Sequence, residues 1–203
     1  MAMQLIYSGA SPFVRKVRVA LIETGLDAEV EKRPVKTTAL ESAPEAVAAN
    51  PLGKIPALTR DDGPAIYDSR VITRYLDARA GAGLYPEKRL WEVLTLEATA
   101  DGIMEAGVLM VYEHRLRAEG ERSETWREAQ WDKATRAIKA VNDRWMSHLA
   151  GPLDMGQVAL GCALGYLDFR LGDRDWRRGN EALAEWYARF SQRESMASTA
   201  PAD

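Results

Sequence analysis

The stretch Leu5-Ile6-Tyr7-Ser8-Gly9-Ala10-Ser11-Pro12-Phe13-Val14-Arg15-Lys16-Val17-Arg18 changes character part-way along. Leu5-Ile6-Tyr7 is a short apolar run of strand length. Ser11 followed by Pro12 supplies an N-cap and a proline at the first helical position, the pair expected where a helix begins. Val14, Val17 and Leu21 then recur at helical spacing with Arg15, Lys16 and Arg18 between them, and Gly25 supplies the stop. Outward from this strand-to-helix turn, Val30 to Pro34 reads as a second strand and Leu40 to Ala49 as a short Ala/Glu-rich helix. Ile55 to Thr59 and Ala65 to Tyr67 read as strands joined by the turn Arg60-Asp61-Asp62-Gly63, a hairpin composition. Asp68-Ser69 opens a third helix carrying Val71, Ile72, Tyr75 and Leu76.

The order is βαβ, then α, then ββα, which predicts a thioredoxin-like half. The rest of the chain reads differently. Pro12, Pro34, Pro44, Pro51, Pro56, Pro64 and Pro86 fall early, and only Pro152 and Pro201 follow. All of Trp91, Trp126, Trp131, Trp145, Trp176 and Trp186 come after Pro86. Proline interrupts regular elements, so short pieces are expected first and long helices later. Arg89 to Arg117 is one long periodic segment, with Leu94, Ile103, Val108 and Tyr112 among charged residues. Ser123 caps a second helix whose face is Ala134, Ile138, Val141, Trp145 and Leu149, broken by Gly151-Pro152. Asp154 with Gln157 gives a capping-box pattern before the very apolar Val158 to Leu167, a helix suited to a bundle centre. Asn180 to Gln192 is a last amphipathic helix, and Ser195 to Asp203 a tail of small residues. Gly81-Ala82-Gly83-Leu84-Tyr85-Pro86 is the natural joint. The expected class is therefore α/β plus all-α: a thioredoxin-like domain over 1–80, a linker over 81–86, and a helical bundle over 87–203.

Composition bounds the chemistry. The chain has 203 residues, 46% hydrophobic and 28% charged, with a formal net charge of −3, which is globular and gives no reason to expect nucleic acid or an anionic membrane. Cys162 stands alone, which excludes an intrachain disulfide and a multi-cysteine metal site. It falls in the apolar helix and is expected as a core residue. His114 and His148 have no cysteine or acidic partners at ligand spacing, so no metal is expected. No apolar run approaches membrane-spanning length, and Met1-Ala2-Met3-Gln4 lacks a cationic leader region, so a soluble cytoplasmic protein is expected.

Three motifs, in this order and spacing, carry a resemblance over nearly the whole length: Ser11-Pro12-Phe13-Val14-Arg15-Lys16-Val17-Arg18, Asn50-Pro51-Leu52-Gly53-Lys54-Ile55-Pro56-Ala57-Leu58, and Asp68-Ser69-Arg70-Val71-Ile72. The chain resembles a glutathione S-transferase, and Gly161-Cys162-Ala163-Leu164-Gly165-Tyr166-Leu167-Asp168-Phe169-Arg170 looks like a bacterial branch with poorly defined substrates. The resemblance implies glutathione as co-substrate, conjugation chemistry of the detoxification type, and a homodimer. In its serine-type members the position of Ser11 holds the thiolate, at a helix start where unpaired N–H groups favour negative charge. That lowers the thiol pKa without deprotonating a side chain. A plain N-cap is the competing role for Ser11. Tyr7 and Ser8 are alternative hydroxyls, and Arg15 either adds positive potential or shares a solvated face with Lys16 and Arg18.

The same resemblance implies that Ile55-Pro56 is cis, with the Ile55 backbone pairing the extended tripeptide as an added strand would. It places Phe13 and Lys54 beside the tripeptide; Lys54 or Lys36 would meet the glycyl carboxylate, unless both are surface charge. Asp68 and Ser69, at a helix N-terminus, would take the γ-glutamyl ammonium and carboxylate, or simply cap the helix. Many relatives carry Glu where this chain has Asp68, and more often Ser or Thr where it has Asp154. A pocket for the small electrophile is expected along Met104, Val108, Tyr112 and Arg115, which otherwise pack the bundle; an inward Arg115 would favour an anionic one. Three functions fit: a transferase, an isomerase of the maleylacetoacetate type (whose paired-serine start is replaced by Gly9-Ala10), and a non-catalytic glutathione-binding or interaction module.

Overall fold

The computed structural model describes residues 3–202. Met1 and Ala2, read above with the leader region, and Asp203 of the small-residue tail lie outside the described residues. The chain forms two compact units: one runs through Leu90 and takes in the tail from Ser198, and the other is Trp91–Ala197.

The first unit contains β1 (Met3–Tyr7), α1 (Pro12–Glu23), β2 (Val30–Pro34), α2 (Pro44–Ala49), β3 (Ala57–Arg60), β4 (Gly63–Ile66) and α3 (Ser69–Ala80). The strands form one sheet in the order β2-β1-β3-β4. β1 and β2 are parallel, with Leu5 opposite Lys32. β3 runs antiparallel to β1, with Ile6 opposite Ala57, and β4 antiparallel to β3, with Leu58 opposite Ile66. This is the thioredoxin-like arrangement expected from the element order. Its core is Leu5, Val14, Val17, Leu21, Leu58, Ile72 and Leu76, all removed from solvent, and α1 packs on α3. Each such side chain contributes about 1.5–3 kcal/mol by burial.

Local boundaries shift for identifiable reasons. α2 starts at Pro44 rather than Leu40, because Pro44 takes a first-turn position and holds Ala43 extended. β3 starts at Ala57 rather than Ile55, since Pro56 has no N–H for the ladder. β4 lies two residues earlier at its start than expected, across a register shift between Leu58 and Arg60. The joint also moves. The stretch 81–86, expected as a linker, belongs to the first unit, whose boundary falls after Leu90. The buried Asp77 carboxylate explains this: it accepts the Leu84 N–H at 2.8 Å and the Tyr85 N–H at 3.1 Å. The Thr73 and Tyr85 hydroxyls, 2.8 Å apart, fasten the same turn. The tail beyond Ser198, expected with the helical half, also returns to the first unit; a Cβ on Gly9 would lie 3.2 Å from the Ala202 carbonyl oxygen.

The second unit is helical: α4 (Leu90–Leu116), α5 (Glu124–Arg144), α6 (Met146–Leu149), α7 (Met155–Arg170), α8 (Glu181–Phe190) and α9 (Glu194–Ala197). Ser123 caps α5 by accepting the Trp126 N–H at 3.2 Å. The helix expected to run to Leu149 stops at Arg144, and Trp145, with ψ near 0°, separates it from α6. The Gln157 side-chain amide and the Trp186 indole N–H take up the carbonyl of Leu149. α7 is buried without interruption from Met155 to Leu167, as its apolar sequence requires, and Cys162 sits inside it. Asp154 caps α7 through the Gln157 N–H at 3.1 Å, and its other oxygen lies 2.8 Å from His148 Nε2. α4 and α7 run parallel: Leu96 meets Gly156, and Gly107 meets Tyr166 and Leu167.

Candidate functional site

The sheet topology gathers the three motifs. β1 ends at Tyr7 and leads to Ser11; β3 begins at Ala57, opposite Ile6, directly after Ile55-Pro56. β4 ends at Ile66 and leads to Asp68-Ser69; because it is antiparallel to β3, this end lies beside the start of β3. Ser11, Ile55 and Ser69 therefore all emerge from the same end of the sheet.

Ser11 is the half-buried N-cap of α1. Its oxygen accepts the Val14 N–H at 3.4 Å, leaving its own O–H hydrogen able to donate elsewhere. The helix N-terminus behind it favours an anion. Phe13 is half-buried one residue beyond Pro12. The competing hydroxyls are held differently: Tyr7 lies in β1 with the Arg18 guanidinium 5.8 Å from its ring, and Ser8 gives its carbonyl to the Ser11 N–H at 3.2 Å.

The Ile55-Pro56 bond is cis, and so is Tyr67-Asp68. Pro56 is buried and Ile55 partly buried against Ile6 and Ala57. The loop before them is organised by a residue to which the sequence reading assigned no role. Asn50, 3% exposed, donates from Nδ2 to the Lys54 carbonyl at 2.9 Å and accepts the Leu52 N–H at 3.0 Å. Within that loop Gly53 has φ 64°, and a Cβ there would lie 2.4 Å from Ser42 Oγ. Glycine is required by both facts. Asn between two elements, followed by Pro-Leu-Gly, is the sequence signal for such a bracket. Lys54 and Lys36 are exposed.

Asp68 is the N-cap of α3 and Ser69 its buried first residue. The Asp68 carboxylate accepts the Arg70 N–H and lies against the Arg70 guanidinium, each at 3.1 Å. Partial burial pushes its pKa up, but the bonds and charge of Arg70, with the charge of Lys16, outweigh this and hold it below the ordinary value. The carboxylate expected to meet an ammonium group is thus already a cap with a cationic neighbour.

Of the two alternatives for Arg15, a source of positive potential or a solvated face shared with Lys16 and Arg18, the solvated face does not hold for Arg15 and Lys16: Arg15 is 5% exposed and Lys16 fully buried. Val14, Val17, Val19, Ala20 and Leu21 leave α1 little polar circumference, and that pattern is the available signal for a buried helix. The charge of Lys16 acts on the Asp68 carboxylate.

In the helical unit, Met104 is fully buried on α4 and is core rather than pocket wall. Val108 and Tyr112 are half-buried and Arg115 is exposed. Burial pushes the Tyr112 hydroxyl above its ordinary pKa. Tyr166 of α7, to which the sequence reading gave no site role, lies against α4 at Gly107.

Comparison with known proteins agrees with this architecture. The family model for the glutathione S-transferase N-terminal domain matches residues 10–79, and that for the C-terminal domain matches residues 124–189. The chain is 32% identical to the uncharacterized GST-like protein YibF of Escherichia coli (strain K12), over 98% of each. A glutathione transferase family member from Pseudomonas fluorescens Pf-5, solved with bound glutathione, is 43% identical over 100% of both chains, with a TM-score of 0.96. A second structure from that source, with bound S-(propanoic acid)-glutathione, is 43% identical over 99% of this chain and 100% of that one, with a TM-score of 0.92. With two matching domain models and relatives aligned from end to end, this chain belongs to the glutathione S-transferase family.

Proposed function

We propose that this chain is a glutathione transferase in which the Ser11 hydroxyl activates the thiol of bound glutathione for attack on a small electrophile. The observation that carries the reading is the position of Ser11: it caps α1 by accepting an N–H, so its O–H proton is available to a sulfur anion at the helix N-terminus. The start of β3 and the start of α3 lie at the same end of the sheet as Ser11, which supports an extended tripeptide running from Ser11 past Ile55 to Ser69. Glutathione bound in the Pseudomonas relative supports glutathione as the co-substrate.

In this reading the Ile55 backbone pairs with the cysteinyl residue, and Ser69 with the α3 N–H groups takes the γ-glutamyl carboxylate. Lys54 faces the glycyl carboxylate and Phe13 flanks the peptide. Asp68 meets the ammonium group, with Arg70 moving off its carboxylate as it does so. The Ser11 O–H and the helix field stabilise the thiolate, whose proton passes to solvent. The same reading makes the protein a cytoplasmic homodimer, which sedimentation equilibrium tests for the assembly.

Titrating the thiolate absorbance of bound glutathione in wild type and Ser11→Ala tests the central claim. A hydrogen bond to a charged group is worth about 1.5–3 kcal/mol. Its loss should raise the bound thiol pKa by about 1–2. The same thiol pKa in both proteins refutes the role of Ser11.

A further inference from the structure

We propose that the tail over 198–202 is a strap that seats on the Gly9-Ala10 turn and holds the Ser11 hydroxyl at its working position. The inference rests on the transferase reading above and adds Gly9 and Thr199 to it as positioning residues.

The turn is lightly built. β1 ends at Tyr7 and α1 begins at Pro12, so residues 8–11 carry the chain from strand to helix. Gly9 and Ala10 form the corner, and the Ser11 N–H donates to the Ser8 carbonyl at 3.2 Å. On the helix side, Ser11 Oγ accepts the Val14 N–H at 3.4 Å. Both bonds are long beside the ~2.9–3.0 Å usual for N–H···O. Gly9 has no side chain and Ala10 only a methyl group, so the corner has little of its own with which to pack. The direction of the Ser11 O–H therefore depends on what lies against the corner.

What lies there is the tail. From Ser198 onward the chain groups with the first unit, so the contact falls within one compact body. Thr199 is 1% exposed, the mark of a segment tied down rather than loose. Farther along, the Ala202 carbonyl oxygen stands 3.2 Å from where a Cβ on Gly9 would be, closer than ordinary van der Waals contact. The φ of Gly9 lies outside the left-handed region, so the turn's own backbone would accept a side chain; it is the tail that calls for glycine. Ala200 and Ala202 are small as well, which lets two backbones approach, and the ring of Pro201 between them stiffens the strap. Order supplied this way is in place before glutathione arrives and is not drawn from its binding. The stake is large, since a displacement of about 1 Å in a reacting group costs up to about 10²-fold in rate.

The test uses the full chain and lifts the tail from either side. Gly9→Leu puts a side chain where Ala202 stands, and Thr199→Asp puts a carboxylate at a buried seat. Amide exchange of the tail peptide should quicken in each, with urea midpoints showing that the rest of the fold persists. The pKa of the bound glutathione thiol, read by thiolate absorbance, should rise in each by about 0.5–1, half of the rise expected for Ser11→Ala. Thr199→Ser, which keeps the hydroxyl, should match wild type. Because both substitutions act through one contact, the double variant should show no more than the larger single effect. A wild-type thiol pKa in Thr199→Asp with the tail released overturns the proposal, as do additive shifts in the double variant. A tail that keeps its wild-type protection in both variants overturns it too, for the seat is then not at Gly9 and Thr199. A shift in Ser11→Ala with none in the tail variants removes this inference alone; no shift in Ser11→Ala removes the transferase reading with it.

Discussion

Asn50→Ala separates the organisation of the glutathione loop from its chemistry. The side chain makes two bonds, Nδ2 to the Lys54 carbonyl at 2.9 Å and Oδ1 from the Leu52 N–H at 3.0 Å. Lys54 and Leu52 are both exposed, so water can reach their backbone groups once Asn50 is gone. The net value of about 0.5–1.5 kcal/mol per bond then applies, not the larger penalty of stranding a buried group. The two bonds predict a loss of about 1–3 kcal/mol in unfolding free energy, read from urea midpoints with an unchanged slope. The Lys54 carbonyl immediately precedes Ile55, so glutathione affinity should fall as well, because binding must then reorder the loop. Asn50→Asp should be worse than Asn50→Ala. It keeps the acceptor for Leu52 but aims a buried carboxylate at the Lys54 carbonyl oxygen. Urea denaturation and calorimetric glutathione titration of the three proteins decide the matter. An Asn50→Ala protein within 0.5 kcal/mol of wild type and with equal glutathione affinity refutes the argument that Asn50 holds this loop.

Asp77→Asn should destabilise the protein by about 1.5–3 kcal/mol, because an amide can accept from only one of the Leu84 and Tyr85 N–H groups; urea midpoints check it. Tyr166 sets an alkaline limit. Its hydroxyl ionises near pH 10 in the unfolded chain and at about 12 when folded, so its contribution is intact below pH 10 and lost as pH rises toward 12. That loss amounts to about 2 kcal/mol by pH 12. Urea stability of wild type should fall more steeply from pH 9 to 11 than that of Tyr166→Phe, and parallel curves refute it.

Elements governed by neighbours in sequence were legible in advance. Ser11-Pro12, Ser123 and Asp154 each cap a helix where the sequence places a start, and β2 falls on Val30–Pro34 as read. Caps are local, since the side chain meets an N–H two or three residues on. Strand ends were less legible, because the limits of β3 and β4 depend on ladder partners far away in sequence. The same holds for the joint: nothing in Gly81-Ala82-Gly83 reveals that a carboxylate on the preceding helix holds Leu84 and Tyr85. In the candidate site, Ser11, Ile55-Pro56 and Asp68-Ser69 were read from motifs, whereas the bonds of Asn50 and the burial of Lys16 were not.

The sequence by itself determined the order of elements, the helix starts, the division into a proline-punctuated half and a helical half, and the serine poised at a helix N-terminus. These follow from side chains acting on their own backbone within a turn or two. Only the tertiary structure decided which charges are buried, where the units divide, and where α4 and α7 meet. Lys16 reads as surface until α1 is packed on nearly every side, and nothing near Gly107 in sequence shows that the Tyr166 ring lies against it. Burial and cross-helix contact arise from segments distant in sequence, and a solvated lysine and a desolvated one are written with the same letter.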